Sequence, residues 1–274
     1  MPSVRTGPAP VVLLTDFGYR DHYAGVMKGV IASIAPRARI IDLTHGIPPQ
    51  QVAAGALVLA QSWRFFPPRS IFVAVVDPGV GTNRLPIAVE TSAGARFVGP
   101  DNGLLWTAAA AAQIRTIVQL RSARYRLPEL SSTFHGRDIF APAAAWLARG
   151  IKLGALGPRL AAMVTLEART AVRETARSLA GSVIYVDGFG NLVTNLSRAQ
   201  VYGFAGQRAE GRLAVKVGRH PRFGLYATYG EVPAGKPLAL FGSFEMLEIG
   251  VRDGTAALHF GAGAGTSVTV RMGK

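Results

Sequence analysis

Over the first half of the chain, short runs of consecutive apolar residues alternate with stretches whose apolar positions recur with a helical period. Val11–Leu14, Arg39–Leu43, Ile71–Val76, Pro86–Glu90 and Thr116–Leu120 read as strands, and Tyr23–Ile34, Gln51–Trp63 and Ile139–Ala148 as helices. The Ile71–Val76 run is continuously apolar and β-branched, as expected of a strand covered on both faces. This pattern predicts a layered α/β domain with a central, mainly parallel sheet over residues 1–155. Residues 156–178, with Gly157, Pro158 and mixed charge lacking a firm period, read as a linker. From 179 to 274 the texture changes to short β-branched runs, including Gly181–Val186, Arg212–Val217, Pro237–Phe241 and Ser267–Arg271, separated by Gly and Pro. That half predicts a smaller, mainly β, barrel-like domain.

Composition narrows the class. The 274 residues are 49% hydrophobic, enough for a substantial core, and contain no cysteine, which excludes disulfides, thiolate metal sites and a Cys nucleophile. The apolar windows at Ala53–Ala60 and Leu104–Ala112 are shorter than the roughly 20 residues of a membrane span, so no membrane association is expected. Met1–Pro10 is polar and proline-bearing without a signal-type apolar stretch, so a cytoplasmic protein is expected. A formal net charge of +14 raises nucleic-acid binding, but the arginines are scattered singly, without basic runs or interleaved aromatics. No nucleic-acid partner is expected; a small-molecule substrate is.

The candidate chemistry sits at strand ends. Asp77 follows the Ile71–Val76 run, and Pro78, Gly79 and Gly81 turn the backbone so that Arg84 comes seven residues later across a tight loop. Thr15-Asp16-Phe17-Gly18-Tyr19-Arg20-Asp21 again places carboxylates at a strand's end, where ligands of open α/β sheets bind. Ser132 to Asp138 sets His135 between Phe134 and Gly136, just ahead of a predicted helix. Each has a plain structural reading: a surface turn for Asp77, helix caps for Asp21 and Asp138, a hydrogen-bonded core histidine for His135. Three such clusters together point to a site. In the second half, Tyr185 to Asn195 reads either as a tight hairpin turn or as a base-binding cluster. Phe189 would then offer a stacking face, Asn191 a purine-edge amide and Asp187 a counter-charge for an ammonium.

Taken in order, Thr15-Asp16-Phe17-Gly18, Ile41-Asp42-Leu43-Thr44-His45, Val76 to Gly81, Asp101 to Leu105, Thr133 to Asp138 and Phe189-Gly190-Asn191 span nearly the whole chain. The chain resembles the S-adenosylmethionine hydroxide adenosyltransferases, relatives of fluorinating and chlorinating enzymes that use the same substrate. The resemblance implies an α/β N-terminal domain, a barrel-like C-terminal domain and a homotrimer with substrate held between neighbouring subunits. It assigns Asp77, Arg84 and His135 to water activation and Asp16 to the ribose hydroxyls. It further assigns Phe189, Asn191 and Tyr229 to adenine, Asp187 to the methionine ammonium and Ser243 to its carboxylate. Phe244 after Ser243, and Gln50 and Gln51 after Pro48-Pro49, depart from the family pattern. The halogenating branch carries small hydroxyl residues where this chain has Val80 and Gly136, and lacks the Asp77 and His135 pair, so hydrolysis to adenosine and L-methionine is the implied reaction.

Elementary chemistry agrees with that expectation. A sulfonium leaves without acid assistance, so the demand falls on water, whose pKa is about 15.7. The five histidines show no HxxxH and no compact carboxylate cluster of metal spacing, so neither a metal nor a cofactor is expected. Arg84 would stabilise developing hydroxide, with His135 accepting the proton and Asp77 orienting the imidazole or the water; which of the two takes the proton stays open. The rivals are a metal-dependent hydrolase built from Asp16, His45, Asp77 and His135, a halogenase, and a non-catalytic sensor of S-adenosylmethionine. His45 also has the plain reading of a brace at its strand end.

Overall fold

In the computed structural model β1 (Val11–Thr15) is buried at every position and pairs in parallel with β2 (Ile40–Thr44) on one side and β3 (Ile71–Val75) on the other. The structure describes residues 9–166, 172–175, 177–205 and 212–273; the N-terminal segment 1–8 and positions 167–171 and 176 of the expected linker lie outside the described residues. With β4 (Pro86–Thr91), β5 (Arg96–Pro100), β6 (Ile114–Gln119) and β7 (Arg159–Leu160), the first sheet has the order β2-β1-β3-β5-β4-β6-β7. It is mixed: β2, β1, β3 and β5 run parallel, and β4, β6 and β7 join antiparallel. β7, inside the stretch expected to link the domains, is therefore part of this sheet.

The connections fix where a ligand can approach. β1 leads through α1 (Tyr23–Ile34) to β2 on one side, and β2 leads through α2 (Val52–Ser62) back past β1 to β3 on the other. Right-handed crossovers in opposite directions put the two helices on opposite faces. α1 packs with α4 (Ala141–Ala148), and α2 with α3 (Trp106–Ala111). The direction of winding reverses between β1 and β3, so their carboxyl ends flank the crevice of a topological switch point. Asp16 and Asp77 follow those two ends.

The approach to α4 differs from the expected cap at Asp138. Gly136–Phe140 forms a turn of π-helix ahead of α4, and Asp138 lies fully buried within it. The reason is Pro142, which has no N–H for the carbonyl four residues earlier. The N–H of Leu127 bonds that Asp138 carbonyl instead, at 2.9 Å. The Asp138 carboxylate accepts the Ser131 N–H at 2.7 Å and two bonds from Arg137, so it holds the preceding loop rather than a helix end. Nor does Asp21 cap α1, whose cap position is His22. Single-turn π insertions recur at functional sites, and this one carries His135 at its start.

The chain divides after Leu166 into a second compact unit. It comprises β8 (Val172–Thr175), β9 (Ser178–Val186), β10 (Leu192–Ser197), α5 (Arg198–Ala205), β11 (Leu213–Val217), β12 (Phe223–Gly224), β13 (Pro237–Phe241), β14 (Met246–Val251), α6 (Ala256–Phe260) and β15 (Ser267–Met272). The strand order is β12-β11-β15-β9-β10-β14-β13, with β8 beside β9, and a bridge between Leu225 and Ala239 brings the two ends of the path together. The sheet is thus nearly closed and barrel-like around Val183, Leu192, Val215, Ile249 and Val268. Among the described residues no helix is long and apolar enough to cross a membrane.

Because Leu13 is fully buried in β1, which is paired on both sides, Leu13→Ala should cost about 2–5 kcal/mol of stability. Urea unfolding of the two proteins measures the difference.

Candidate active site

Four of the residues singled out in the first half of the chain converge beyond β1 and β3. Arg84 Nε donates to both Asp77 oxygens, at 2.9 and 3.1 Å, and its Nη2 donates to Asp77 Oδ2. The same Nη2 lies 2.9 Å from His135 Nδ1. The guanidinium therefore stands between carboxylate and imidazole, and the hydrogen bond that orients the imidazole comes from Arg84. Both members of the ion pair are almost wholly enclosed, the side chains being 8% and 6% exposed, and the guanidinium stacks over Phe140 at 5.3 Å.

This arrangement determines the tautomer of His135. A guanidinium can only donate, so Nδ1 accepts and the proton of the neutral ring sits on Nε2. Burial, and then the positive charge of Arg84, lower the His135 pKa, outweighing the opposing pull of Asp77 and Asp138. The ring is held neutral with an N–H to offer. Among the described residues Arg84 Nη1 is buried without a hydrogen-bond partner, which is a costly state for a donor unless something else completes it.

Packing holds the three loops in register. Gly81 has φ +78°, and a Cβ there would come within 2.6 Å of the Ser132 carbonyl, so only glycine lets the Asp77–Arg84 loop rest against the segment leading to His135. Phe17 meets Phe134 edge-on with centroids 5.8 Å apart, joining the Asp16 segment to that same loop. Asn102 Nδ2 donates to the Val76 carbonyl at 2.9 Å and steadies the backbone just before Asp77. Asp16 accepts the Gln50 N–H at 2.8 Å. Its pKa is raised, chiefly by burial and further by the negative charge of Asp77, against the lowering effect of that bond.

His45 stands apart from this group. It is fully buried, and its two ring nitrogens are taken by Thr15 and Asp42. Among the described residues no three His, Cys, Asp or Glu side chains are grouped so as to hold a metal ion.

The second unit assembles the remaining candidates. Asp187 closes the β9–β10 hairpin: its Oδ1 accepts the N–H groups of Phe189 and Asn191 at 2.9 and 2.8 Å, and its Oδ2 accepts Asn191 Nδ2 at 3.0 Å. The turn thereby presents Phe189 outward, 81% exposed. Tyr229 donates its hydroxyl to Glu248 on β14. A Cβ on Gly250 would lie 2.6 Å from Tyr229 Cε1 and 3.2 Å from Asn191 Oδ1, so the absent side chain is what lets ring and amide meet there. Burial, then the bond to Glu248, raise the Tyr229 pKa; burial also raises that of Glu248, with Asp187 adding to it. Ser243 is exposed in the β13–β14 turn, next to Gly242, whose Cα faces Glu248 Oε2. Glu248 was not singled out from the sequence. Its signal was a lone acid in the apolar strand Met246–Val251.

Comparison with known proteins matches both halves. The family model described as SAM hydroxide adenosyltransferase N-terminal domain covers residues 11–157, and that described as its C-terminal domain covers 181–269. The chain is 39% identical to the (R)-S-adenosyl-L-methionine hydrolase of Thermus thermophilus, over 94% of this chain and 98% of that protein. It is 27% identical to a fluorinase of Nocardia brasiliensis, over 97% and 98% of the two chains. A crystal structure of an uncharacterized conserved protein from Thermotoga maritima superposes with a TM-score of 0.88 at 36% identity, covering 95% of this chain and 99% of that one.

The lowered His135 pKa carries a stability prediction with a definite sign. Below the ordinary imidazole value of about 6.5, unfolded chains take up a proton that the folded ring resists, so stability falls as pH drops. His135→Gln removes that contribution. Urea midpoints at about pH 7.5 and 5.5 should therefore move further apart in the wild type than in the variant.

Proposed function

The chain belongs to the SAM hydroxide adenosyltransferase family, and from that premise we propose how it hydrolyses S-adenosyl-L-methionine to adenosine and L-methionine. Water attacks the ribose 5′ carbon; a C–O bond forms, and the C–S bond breaks with its electron pair returning to sulfur as a neutral thioether. The observation that carries the reading is the Asp77–Arg84–His135 row with its unspent donor, Arg84 Nη1.

In this reading the three side chains divide the work by what each has left to give. Arg84 offers the Nη1 hydrogens and His135 the Nε2 hydrogen, both toward an oxygen that gains negative charge. Acceptor capacity resides on Asp77, because His135 Nδ1 is occupied by Arg84 while a carboxylate has about four lone-pair sites and Arg84 takes three. Asp77 thus accepts the water's hydrogen bond and receives its proton as the C–O bond forms. Hydroxide and sulfonium neutralise one another along this path, so enclosure by Phe134 and Phe140 lowers the barrier by excluding water. No metal or cofactor is needed, since the leaving group is already activated.

Substrate recognition follows the same logic. Asp16 takes the ribose hydroxyls; Phe189 and Tyr229 provide faces for adenine, and Asn191 its amide. Asp187 supplies negative charge toward the ammonium, and Ser243 lies by the carboxylate. The active form is a homotrimer in which the first unit of one subunit works with the second unit of a neighbour, and the exposure of Phe189 favours a surface completed by another chain. The setting is cytoplasmic.

Chelator-treated enzyme in halide-free buffer should convert S-adenosylmethionine to adenosine and methionine, and excess chloride or fluoride should yield no 5′-halo-adenosine by chromatography. Asp77→Asn and His135→Gln should each lower kcat by about 10²–10⁴-fold. Activity that vanishes with chelator, halo-adenosine as product, or tight binding without turnover would each replace this reading with one of its rivals. Light scattering should give three times the mass of one chain; a monomer with full activity would remove the shared site.

A further inference from the structure

A second polar row lies beside the site, absorbed by none of the roles above. Lys28 Nζ on α1 donates to Asp42 Oδ2 at 2.6 Å, and Asp42 Oδ1 lies 3.1 Å from His45 Nε2. His45 Nδ1 lies 2.8 Å from Thr15 Oγ1, which also accepts the Phe17 N–H at 3.2 Å. Facing a carboxylate, Nε2 carries the proton; Nδ1 then accepts the Thr15 hydroxyl, leaving that oxygen's lone pairs for Phe17. From Phe17 through Thr15 and His45 every donor points toward Asp42, and Lys28 meets that carboxylate from the other end.

Hydroxyl, imidazole and carboxylate in sequence are the parts of a nucleophilic triad, but this row cannot attack anything. Thr15 and His45 are both fully buried, and the Thr15 oxygen is already committed to Phe17. What it encloses is Asp16. The residue before Asp16 supplies the hydroxyl and the residue after it the N–H, so both flanking peptides are tied to one atom. The Gly18 N–H bonds the His45 carbonyl at 2.7 Å and the Ile47 N–H bonds the Thr15 carbonyl at 3.3 Å, stapling residues 15–18 to 45–47. The regular β1–β2 ladder slips between Leu13 and Leu14, so side-chain bonds take over where ladder bonds fail. At the far side the Asp16 carboxylate is fixed by the N–H of Gln50, a residue held at φ +63°.

We propose that the Asp42–His45–Thr15 row is a positioning device for Asp16, setting the carboxylate that grips the substrate's ribose. The inference rests on the assignment of Asp16 to the ribose hydroxyls. Its members are positioning residues: none touches substrate, and their effect passes through the backbone on either side of Asp16.

The test uses Thr15→Val, which keeps shape and removes the hydroxyl, with Thr15→Ser as the conservative rescue and Asp16→Ala as the reference. KM and kcat are measured in the full-length enzyme for S-adenosylmethionine and for its 2′-deoxy and 3′-deoxy ribose analogues. Thr15→Val should raise KM about tenfold with a smaller change in kcat, the loss of one well-placed hydrogen bond. It should also shrink the penalty for deleting a ribose hydroxyl, and Thr15→Ser should restore both; general destabilisation would leave that penalty untouched. If Thr15→Val does not fold, Asp42→Asn takes its place, since it puts a donor NH2 at one of the two oxygens that separately accept from Lys28 and His45. Wild-type KM and wild-type discrimination in the folded variant, with discrimination lost in Asp16→Ala, would overturn the positioning role alone. Discrimination intact in Asp16→Ala would overturn the ribose assignment and the inference with it.

Discussion

The buried pair of Asp77 and Arg84 is the interaction on which the site's geometry depends. Enclosing two charges is expensive, and removing one partner of such a pair typically costs about 3–5 kcal/mol because the other is left uncompensated. The fold accepts that cost at the switch point of its sheet, where Asn102 fixes the strand end, Gly81 admits the neighbouring loop and Phe140 covers the guanidinium face. Once Arg84 is immobile, its remaining nitrogens are directed by geometry: Nη2 toward His135, and Nη1 toward no hydrogen-bond partner among the described residues. The imidazole tautomer and the unspent donor follow from where this one guanidinium is held, and its charge adds to burial in keeping the ring neutral.

Residues 131–142 show the same economy at the level of the backbone. Pro142 frees the carbonyl of Asp138, Leu127 takes it, and the carboxylate of that same Asp138 ties Ser131 and Arg137 together. The result is a π-turn that starts at His135. A regular helix over this stretch would rotate the residues at its start, because each inserted residue shifts the face by about 100°. The side chain that meets Arg84 is therefore placed by a proline seven residues downstream.

Strand ends and glycine turns are local, and they were legible. The apolar runs located β1, β2, β3, β4 and β6 nearly to the residue, and the clusters around Asp16, Asp77 and His135 fell where ligands of such sheets bind. Non-local pairings were not legible. That Arg84 rather than Asp77 would reach His135 depends on a contact across 51 positions, and the role of Glu248 on Tyr229, 19 positions away. Asp138 read as a cap because Ser, Thr, Asn and Asp before a helical run usually are; its true partner, Ser131, lies upstream in a loop without period. β5 ends in Gly99 and Pro100, residues that normally disqualify a strand, and only its pairing with β3 and β4 makes it one.

Charge resolves the remaining tension between the composition and the substrate. A chain of formal charge +14 is a poor long-range attractor for a sulfonium that also carries an ammonium. Screening confines that mismatch, since at physiological ionic strength the Debye length is about 8 Å. Within that radius local groups decide: in the first unit Arg84 offsets Asp77 and Asp16 remains as the net negative charge, and in the second Asp187 acts on Glu248. In each unit the pKa of one carboxylate is raised partly through the like charge of another, which is the state a cation relieves. In each unit, then, local carboxylates rather than the molecule's overall field favour a cation, and the scattered arginines need no part in that.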